Sequence, residues 1–271
     1  MDPHPRGTGR CAGSGGGARA RDYRHAFVVR SCGRPRTHRA DQMSAAAIVV
    51  AAGQGTRMRG QKNKVFLEVG GRSILEYSLA LLESSRHIDE VVLVTRASDL
   101  DACESVKGRF PKLRAVVAGG DVRHRSEFAG LQVIAARIDA KRIETVLVHD
   151  AVRPFASPRL IERLLAQIDR TIGCVPGQPL TGSVAHVADG WIAGYPKNLW
   201  AVQTPQVFQA TWLLEAHNKA ARQGFIGTDT ASVVEWAGGD VAVIEGEPDN
   251  IKITTPDHLV LAERIAASLG S

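Results

Sequence analysis

Residues 45–58 read AAAIVVAAGQGTRM, an unbroken apolar run that empties into a loop with glycine at 53 and 55. A short continuous run of this kind, closed by a glycine-rich turn, predicts a strand over 46–51 that is buried on both faces. Gly53 and Gly55 let the backbone turn sharply and bring N–H groups against an anion, with the small pair Ala51-Ala52 before them. Arg57 adds a guanidinium fork suited to phosphate oxygens. Two commoner phosphate loops are excluded. A dinucleotide fingerprint needs glycine at 58, where Met58 stands, and Gly60 is followed by Gln61-Lys62 in place of the Lys-Ser/Thr of a Walker A loop.

Outward from this stretch the alternation continues. Apolar runs at 90–95, 114–117, 145–148, 172–175, 199–202 and 241–244 predict further strands. Helical periodicity over 73–85, 98–107, 125–138, 157–168, 210–221, 229–236 and 256–268 predicts helices between and after them. The fold class is therefore α/β, a mostly parallel sheet with helices on both faces. Such sheets bind ligands beyond the carboxyl ends of their strands. Residues 179–197 break the rhythm. PLTGSVAHVADGWIAGYPK alternates about Asp189-Gly190, a hairpin signal, and predicts a small projecting β-arm.

Composition narrows the function classes. The net charge of +6 lies entirely in residues 1–43, which hold nine Arg, no Lys and three Asp; residues 44–271 keep 25 basic and 25 acidic residues. A nucleic-acid-binding domain carries its positive patch on the folded part, so this distribution argues against one. Residues 1–43 read as a disordered Arg/Gly-rich extension, with Met43 as the expected natural start of a single domain over 44–271. No run approaches the roughly 18 apolar residues of a membrane span. Cys11, Cys32, Cys103 and Cys174 form no CxxC pair, which fits a reducing cytoplasm. Nine scattered His without HExxH spacing argue against a protein-built metal cage.

The remaining chemistry-bearing residues all follow strands. Lys64 comes seven residues after Arg57 and reaches the same anion if the loop wraps back; alone it reads as a solvated charge. In Gly119-Gly120-Asp121-Val122-Arg123-His124-Arg125-Ser126, small residues permit close approach of a flat base. Asp121 and Ser126 then offer polar contacts, or else cap the helix expected from 125. Val148-His149-Asp150-Ala151-Val152-Arg153-Pro154 sends a carboxylate and a guanidinium off the end of a buried strand. Asp150 suits a ribose hydroxyl or a phosphate-bound Mg²⁺, and Arg153 an acceptor phosphate; an internal Asp150–Arg153 pair is the alternative. His149 reads as a packed or loop-bonded side chain. Asn250-Ile251-Lys252-Ile253-Thr254-Thr255-Pro256 predicts a short strand entering a helix, with Lys252 opposite Ile251 and Ile253. Thr204-Pro205-Gln206 adds a hydroxyl.

Together these segments resemble the 2-C-methyl-D-erythritol 4-phosphate cytidylyltransferase family and its relative ribitol-5-phosphate cytidylyltransferase. AAGxGxRM, GGxxR…S, HDAxRP, TPQ and NIKxT appear in order across 45–266. The resemblance implies a Rossmann-like domain, a homodimer formed through the arm, and use of CTP with Mg²⁺ and a polyol phosphate. It implies that loop 51–58, with Ala51, Ala52, Gly53 and Gly55, wraps the triphosphate, and that Arg57, Lys64 and Lys252 are catalytic. Gly120, Asp121 and Ser126 would line the cytidine site. Asp150, Arg153, Thr204 and Lys252 would face the acceptor or the α-phosphate. The chain departs from the family at Asn63-Lys64-Val65, where the family has Pro-Lys-Gln. It departs again in the arm, where Thr181-Gly182-Ser183 replaces Arg-Asp-Thr and Lys197 stands near the arm's usual Arg. Ser183 and Lys197 are the substitutes expected there, and the change leaves ribitol 5-phosphate or another polyol phosphate as the alternative acceptor.

Overall fold

The computed structural model describes residues 44–53 and 63–269. The apolar run that opened the reading forms β1 (Ala45–Val50). After it come the short hairpin β2 (Glu68–Val69) and β3 (Arg72–Ser73), then α1 (Ile74–Ser84), β4 (Glu90–Thr95), α2 (Leu100–Glu104) and β5 (Leu113–Ala118). Next are α3 (Arg123–Asp139), β6 (Thr145–Asp150), α4 (Pro158–Leu165) and β7 (Gly173–Pro179). The arm strands β8 (His186–Ala188) and β9 (Trp191–Gly194) follow, then β10 (Trp200–Val202), β11 (Gln206–Gln209), α5 (Ala210–Gln223), α6 (Thr230–Ala237), β12 (Val241–Glu245) and α7 (Pro256–Leu269).

The main sheet runs β10-β7-β11-β6-β1-β4-β5, with β12 on the other edge of β7. Pairings β1–β4, β1–β6, β4–β5 and β7–β12 are parallel, and β11 and β10 run against the rest. In β1, β4 and β6 nearly every residue is buried, because both faces of the sheet are covered there. Ala45, Ala47 and Val49 of β1 pack with α1, α4 and α7, whereas Ala46 and Ile48 pack with α3, α5 and α6. Leu147 of β6 joins the first core, and Val146 and Val148 join the second. Gly130 sets the spacing of α3 on the sheet: a Cβ there would lie 2.7 Å from Ile48 Cγ2.

Local signals account for the ends. Ser73 and Glu76 form a reciprocal capping box on α1, and Ser157 caps α4 with Pro158 in its first turn. The arm turns at Asp189 and Gly190, both at positive φ, as a two-residue hairpin requires.

Four expectations need correction. The helix expected over 98–107 is reduced to α2 between two short 3-10 turns; the Asp99 side chain, drawn to Arg96 and Asn63, makes no cap bond to it. Strand β11 was not expected, since its polar ends and the preceding Pro205 hide a four-residue antiparallel insertion between β6 and β7. Helix α3 starts at Arg123, not at 125. Residues 251–254 form no strand.

Candidate active site

Strand β1 lies between β4 and β6. The chain leaves it on one side for β4 and β5 and returns on the other for β6, and such a reversal opens a crevice at the carboxyl ends. A cleft of about 310 Å³ sits there, bounded by the ends of β1 and β6, the turn after β5, and the segment after Asn250.

The floor is Ala51, Ala52 and Gly53. Gly55 and Arg57 lie outside the described residues. The chain nevertheless returns where phosphate binding needs it. Asn63, buried, donates from Nδ2 to the Ala51 carbonyl at 3.0 Å and to Asp99 Oδ2 at 2.9 Å, and its Oδ1 accepts from Val65 N. The side chain that replaces the family's proline therefore staples the loop's far end to β1 and brings Lys64 to the cleft.

The second wall is the turn 119–122 and the first turn of α3. Gly119 cannot carry a side chain, since its Cβ would meet Ser126 Oγ at 2.6 Å and Ala52 Cβ at 2.7 Å. Gly120, Asp121 and Ser126 line the cleft as expected. Neither polar residue caps α3: Asp121 pairs with Arg125 at 2.8 Å, and Ser126 Oγ bonds the Val122 carbonyl at 3.2 Å.

Asp150, at the end of β6, is the electrostatic centre. It is 4% exposed, and three cations face it: Arg123 through Nη1, Lys252 at 2.8 Å, and Arg153 at 3.8 Å. Burial alone would raise its pKa. Arg123, Lys252 and Arg153 override that and hold the carboxyl well below the usual range, so it is ionised. Lys252 enters the cleft from the segment after Asn250, held by Ile253 N donating to the Val152 carbonyl at 2.9 Å. The expected alternation survives without the strand: Ile251 and Ile253 pack in the core, and Lys252 faces the cleft.

Other expected residues lie behind or away from the cleft. Arg153 is buried, and its guanidinium donates to the carbonyls of Asn250 at 2.8 Å and Val202 at 3.3 Å. Thr204 is buried and its Oγ1 accepts from Asp150 N at 2.9 Å. His149 is fully buried between Thr204 and the Arg153 carbonyl, and burial lowers its pKa to about 4, so it is a neutral packed side chain. Ser183 and Lys197 are exposed in the arm region and do not line this cleft.

Sequence reasoning missed the importance of Arg123. It lines the cleft and bonds both Asp150 and Glu127, and its Nη2 has no hydrogen-bond partner among the described residues. The i,i+4 spacing of Arg123 and Glu127 was the available signal, hidden by placing the helix start two residues late.

The site's charge suits a polyphosphate. Lys64, Lys252 and Arg123 line the cleft together with the small residues Ala52, Gly53 and Gly120. Among the described residues no cluster of three or more His, Cys, Asp or Glu could hold a metal ion. Asp150, the expected Mg²⁺ contact, is bonded by Arg123 at Oδ1 and by Lys252 at Oδ2.

Comparison with known proteins agrees with that reading. Residues 45–268 match the sequence model of the family described as 2-C-methyl-D-erythritol 4-phosphate cytidylyltransferase. The chain is similar to the protein of that name from Bacillus licheniformis, 39% identical over 227 residues, covering 82% of this chain and 96% of the relative. It is 38% identical over 234 residues to the namesake from Geotalea uraniireducens, covering 84% and 99%. The solved structure of the Thermus thermophilus enzyme superposes with a TM-score of 0.65 at 35% identity, covering 83% of this chain and all 100% of that one. The structure of 4-diphosphocytidyl-2C-methyl-D-erythritol synthase from Anaerococcus prevotii gives a TM-score of 0.72 at 29% identity, covering 86% and 98%. With residues 45–268 matched by the family model and relatives up to 39% identical matched over nearly their whole length, the protein belongs to the 2-C-methyl-D-erythritol 4-phosphate cytidylyltransferase family.

Proposed function

We propose that the chain transfers CMP from CTP to 2-C-methyl-D-erythritol 4-phosphate and releases pyrophosphate, a step of isoprenoid precursor synthesis. The observation that carries this reading is the cleft itself: a glycine turn, two lysines and an arginine around a space for a nucleotide, with no histidine or cysteine among the described lining residues to serve as base or nucleophile. The chemistry requires none. The acceptor phosphate is largely dianionic at neutral pH, its second pKa being about 6. One of its oxygens bonds to the α-phosphorus of CTP. The bond from that phosphorus to the α–β bridging oxygen breaks, and its electron pair leaves with pyrophosphate. What the protein supplies is alignment and positive charge as negative charge builds.

Lys64 and Lys252, both in the cleft lining, provide that charge, with Arg57 assigned the same task by the family pattern. Ala52 and Gly53 offer backbone N–H groups to the triphosphate, with Gly55 assigned the same task by the family pattern, and Ala51, whose own N–H bonds the Val94 carbonyl at 2.7 Å, forms the floor beneath them. Gly120, Asp121 and Ser126 hold the cytidine. Asp150 orients Lys252 and Arg123, while Thr204 and Arg153 hold the backbone that presents them. Mg²⁺ bound with CTP would supply further screening of the triphosphate charge beside Lys64 and Lys252.

We assign the arm to a homodimer interface. Trp191 is 80% exposed, and Val187, Ile192 and Tyr195 beside it are also open, a cluster suited to a second copy. Ser183 and Lys197 belong to the same surface and to acceptor binding in the assembled enzyme. No helix among the described residues is long and apolar enough to cross a membrane, and the free thiols Cys103 and Cys174 suit a reducing cytoplasm.

The test is pyrophosphate release by residues 43–271 from CTP and Mg²⁺, with methylerythritol 4-phosphate and ribitol 5-phosphate side by side. Turnover of the first acceptor is expected. Turnover confined to ribitol 5-phosphate, an alternative that the family match and the relatives' names do not favour, would overturn the acceptor, and release with neither would overturn the activity.

A further inference from the structure

Glu127 lies on α3 behind the cleft wall, fully buried. Its Oε1 accepts from Arg123 Nε at 2.7 Å, and the same guanidinium bonds Asp150 Oδ1 through Nη1. Asp150 Oδ2 meets Lys252 Nζ at 2.8 Å. Charges thus alternate without a break from the interior of the second core to the cleft: Glu127, Arg123, Asp150, Lys252. A carboxylate with no solvent contact is retained only where it is paired, and an aliphatic side chain here would avoid its desolvation altogether.

The other groups that face Glu127 are few. From α5, His217 places Nε2 3.9 Å from Oε2, and its ring stacks on His124 of α3 with centroids 4.8 Å apart. From β6 the nearest charge is Asp150, and α6 presents the Thr230 hydroxyl. Burial holds both imidazoles below their ordinary pKa, so they are neutral near pH 7 and do not substitute for Arg123 as the partner.

We propose that Glu127 is a positioning residue for nucleotidyl transfer: it fixes Arg123 on Asp150 Oδ1, so that Lys252 is shared between Asp150 and the transferring phosphate. If Arg123 were loose, Asp150 would turn to Lys252 with both oxygens, and Lys252 would be held back from the phosphates. The inference rests on the cytidylyltransferase reading above.

Glu127→Gln tests it, because the amide oxygen still accepts from Arg123 without carrying the charge. Loss of a charge-assisted hydrogen bond predicts a fall in kcat/KM of about 10- to 100-fold, carried by kcat with KM for CTP little changed. The pH profile gives the second readout. Burial raises the Glu127 pKa to about 7, so the parent loses activity as pH falls through that value. Glu127→Gln loses this limb and keeps the acceptor phosphate's own, near about 6. Glu127→Leu, free of the desolvation cost, serves if the Gln variant does not fold. A double-mutant cycle closes the argument: in an Arg123→Gln background, Glu127→Gln should cost nothing further. A parental kcat and pH profile in the Glu127 variants, or losses that add fully to those of Arg123→Gln, would overturn the proposal. A parent inactive on CTP and methylerythritol 4-phosphate would instead overturn the functional reading on which it stands.

Discussion

Replacing Asp150 with asparagine removes a carboxylate that faces three cations, and the structure sets the size of the effect. Lys252 has a side chain 41% exposed, so it turns to water at little cost. Arg123 keeps Glu127, and Arg153 keeps two carbonyls, but both guanidinium groups lose their shared counter-charge in a largely buried site. Breaking a buried pair from one side costs about 3–5 kcal/mol, and the partial compensation here favours the lower end. For a domain of this size that lowers Tm by roughly 6–12 °C. The pH dependence follows from the depressed carboxyl. Its contribution is complete above the unfolded-state value of about 4 and is lost as pH falls toward the folded-state value. The deficit of Asp150→Asn should therefore be full at pH 7 and shrink in acid. Thermal melts between pH 3 and 8, with pyrophosphate release at pH 7.5, measure both sides; a fall of roughly 100-fold in kcat/KM is expected. Unchanged Tm and unchanged kcat/KM at neutral pH would refute the assignment of Asp150 as the charge centre.

Further outcomes follow from the same geometry. Lys252→Met should leave stability within about 0.5 kcal/mol, because the ammonium is partly solvated, yet lower kcat/KM by roughly 100-fold; a melt and a turnover assay separate the two. Asn63→Ala removes the staple from Lys64 to β1 and leaves the Ala51 carbonyl with one partner fewer. A loss of about 1–3 kcal/mol is expected by chemical denaturation, with a lower kcat. His217, buried and held near a pKa of about 3, contributes stability that is complete above about 6.5 and lost as pH falls. His217→Phe, which keeps the stack with His124 and Phe128, should flatten the fall of urea-derived stability between about pH 6.5 and 4. Glu127 has the opposite sign. Its raised pKa gives stability present below about 4.3 and lost as pH rises through about 7, so Glu127→Gln should steepen the rise of stability over that interval.

The sequence by itself determined the architecture and most of the cleft. A continuous apolar run such as 45–50 has one stable destination, a strand covered on both faces, and repetition of that run with helical segments leaves a parallel sheet as the outcome. Motifs that follow strands then fall at its carboxyl edge, which is why Ala51, Lys64, Gly120, Ser126, Asp150 and Lys252 share one cleft though up to 201 residues separate them. The arm was equally legible, because a Asp-Gly turn selects its own backbone geometry. Only the tertiary structure decided how the charges divide. Arg153 and Thr204 look like ligands in the sequence and in the fold hydrogen-bond backbone groups of neighbouring segments, whereas Arg123, given no role with its motif, reaches the centre from the first turn of α3, which begins two residues earlier than its apolar spacing announces. Asn63 shows the same limit. A polar side chain ending a glycine loop carries no local signal, and its use as a staple depends on a carbonyl twelve residues away and a carboxylate thirty-six residues away. Periodicity encodes burial, which is a property of each segment; hydrogen-bond partners are set by the meeting of segments, and that is information only the folded chain holds.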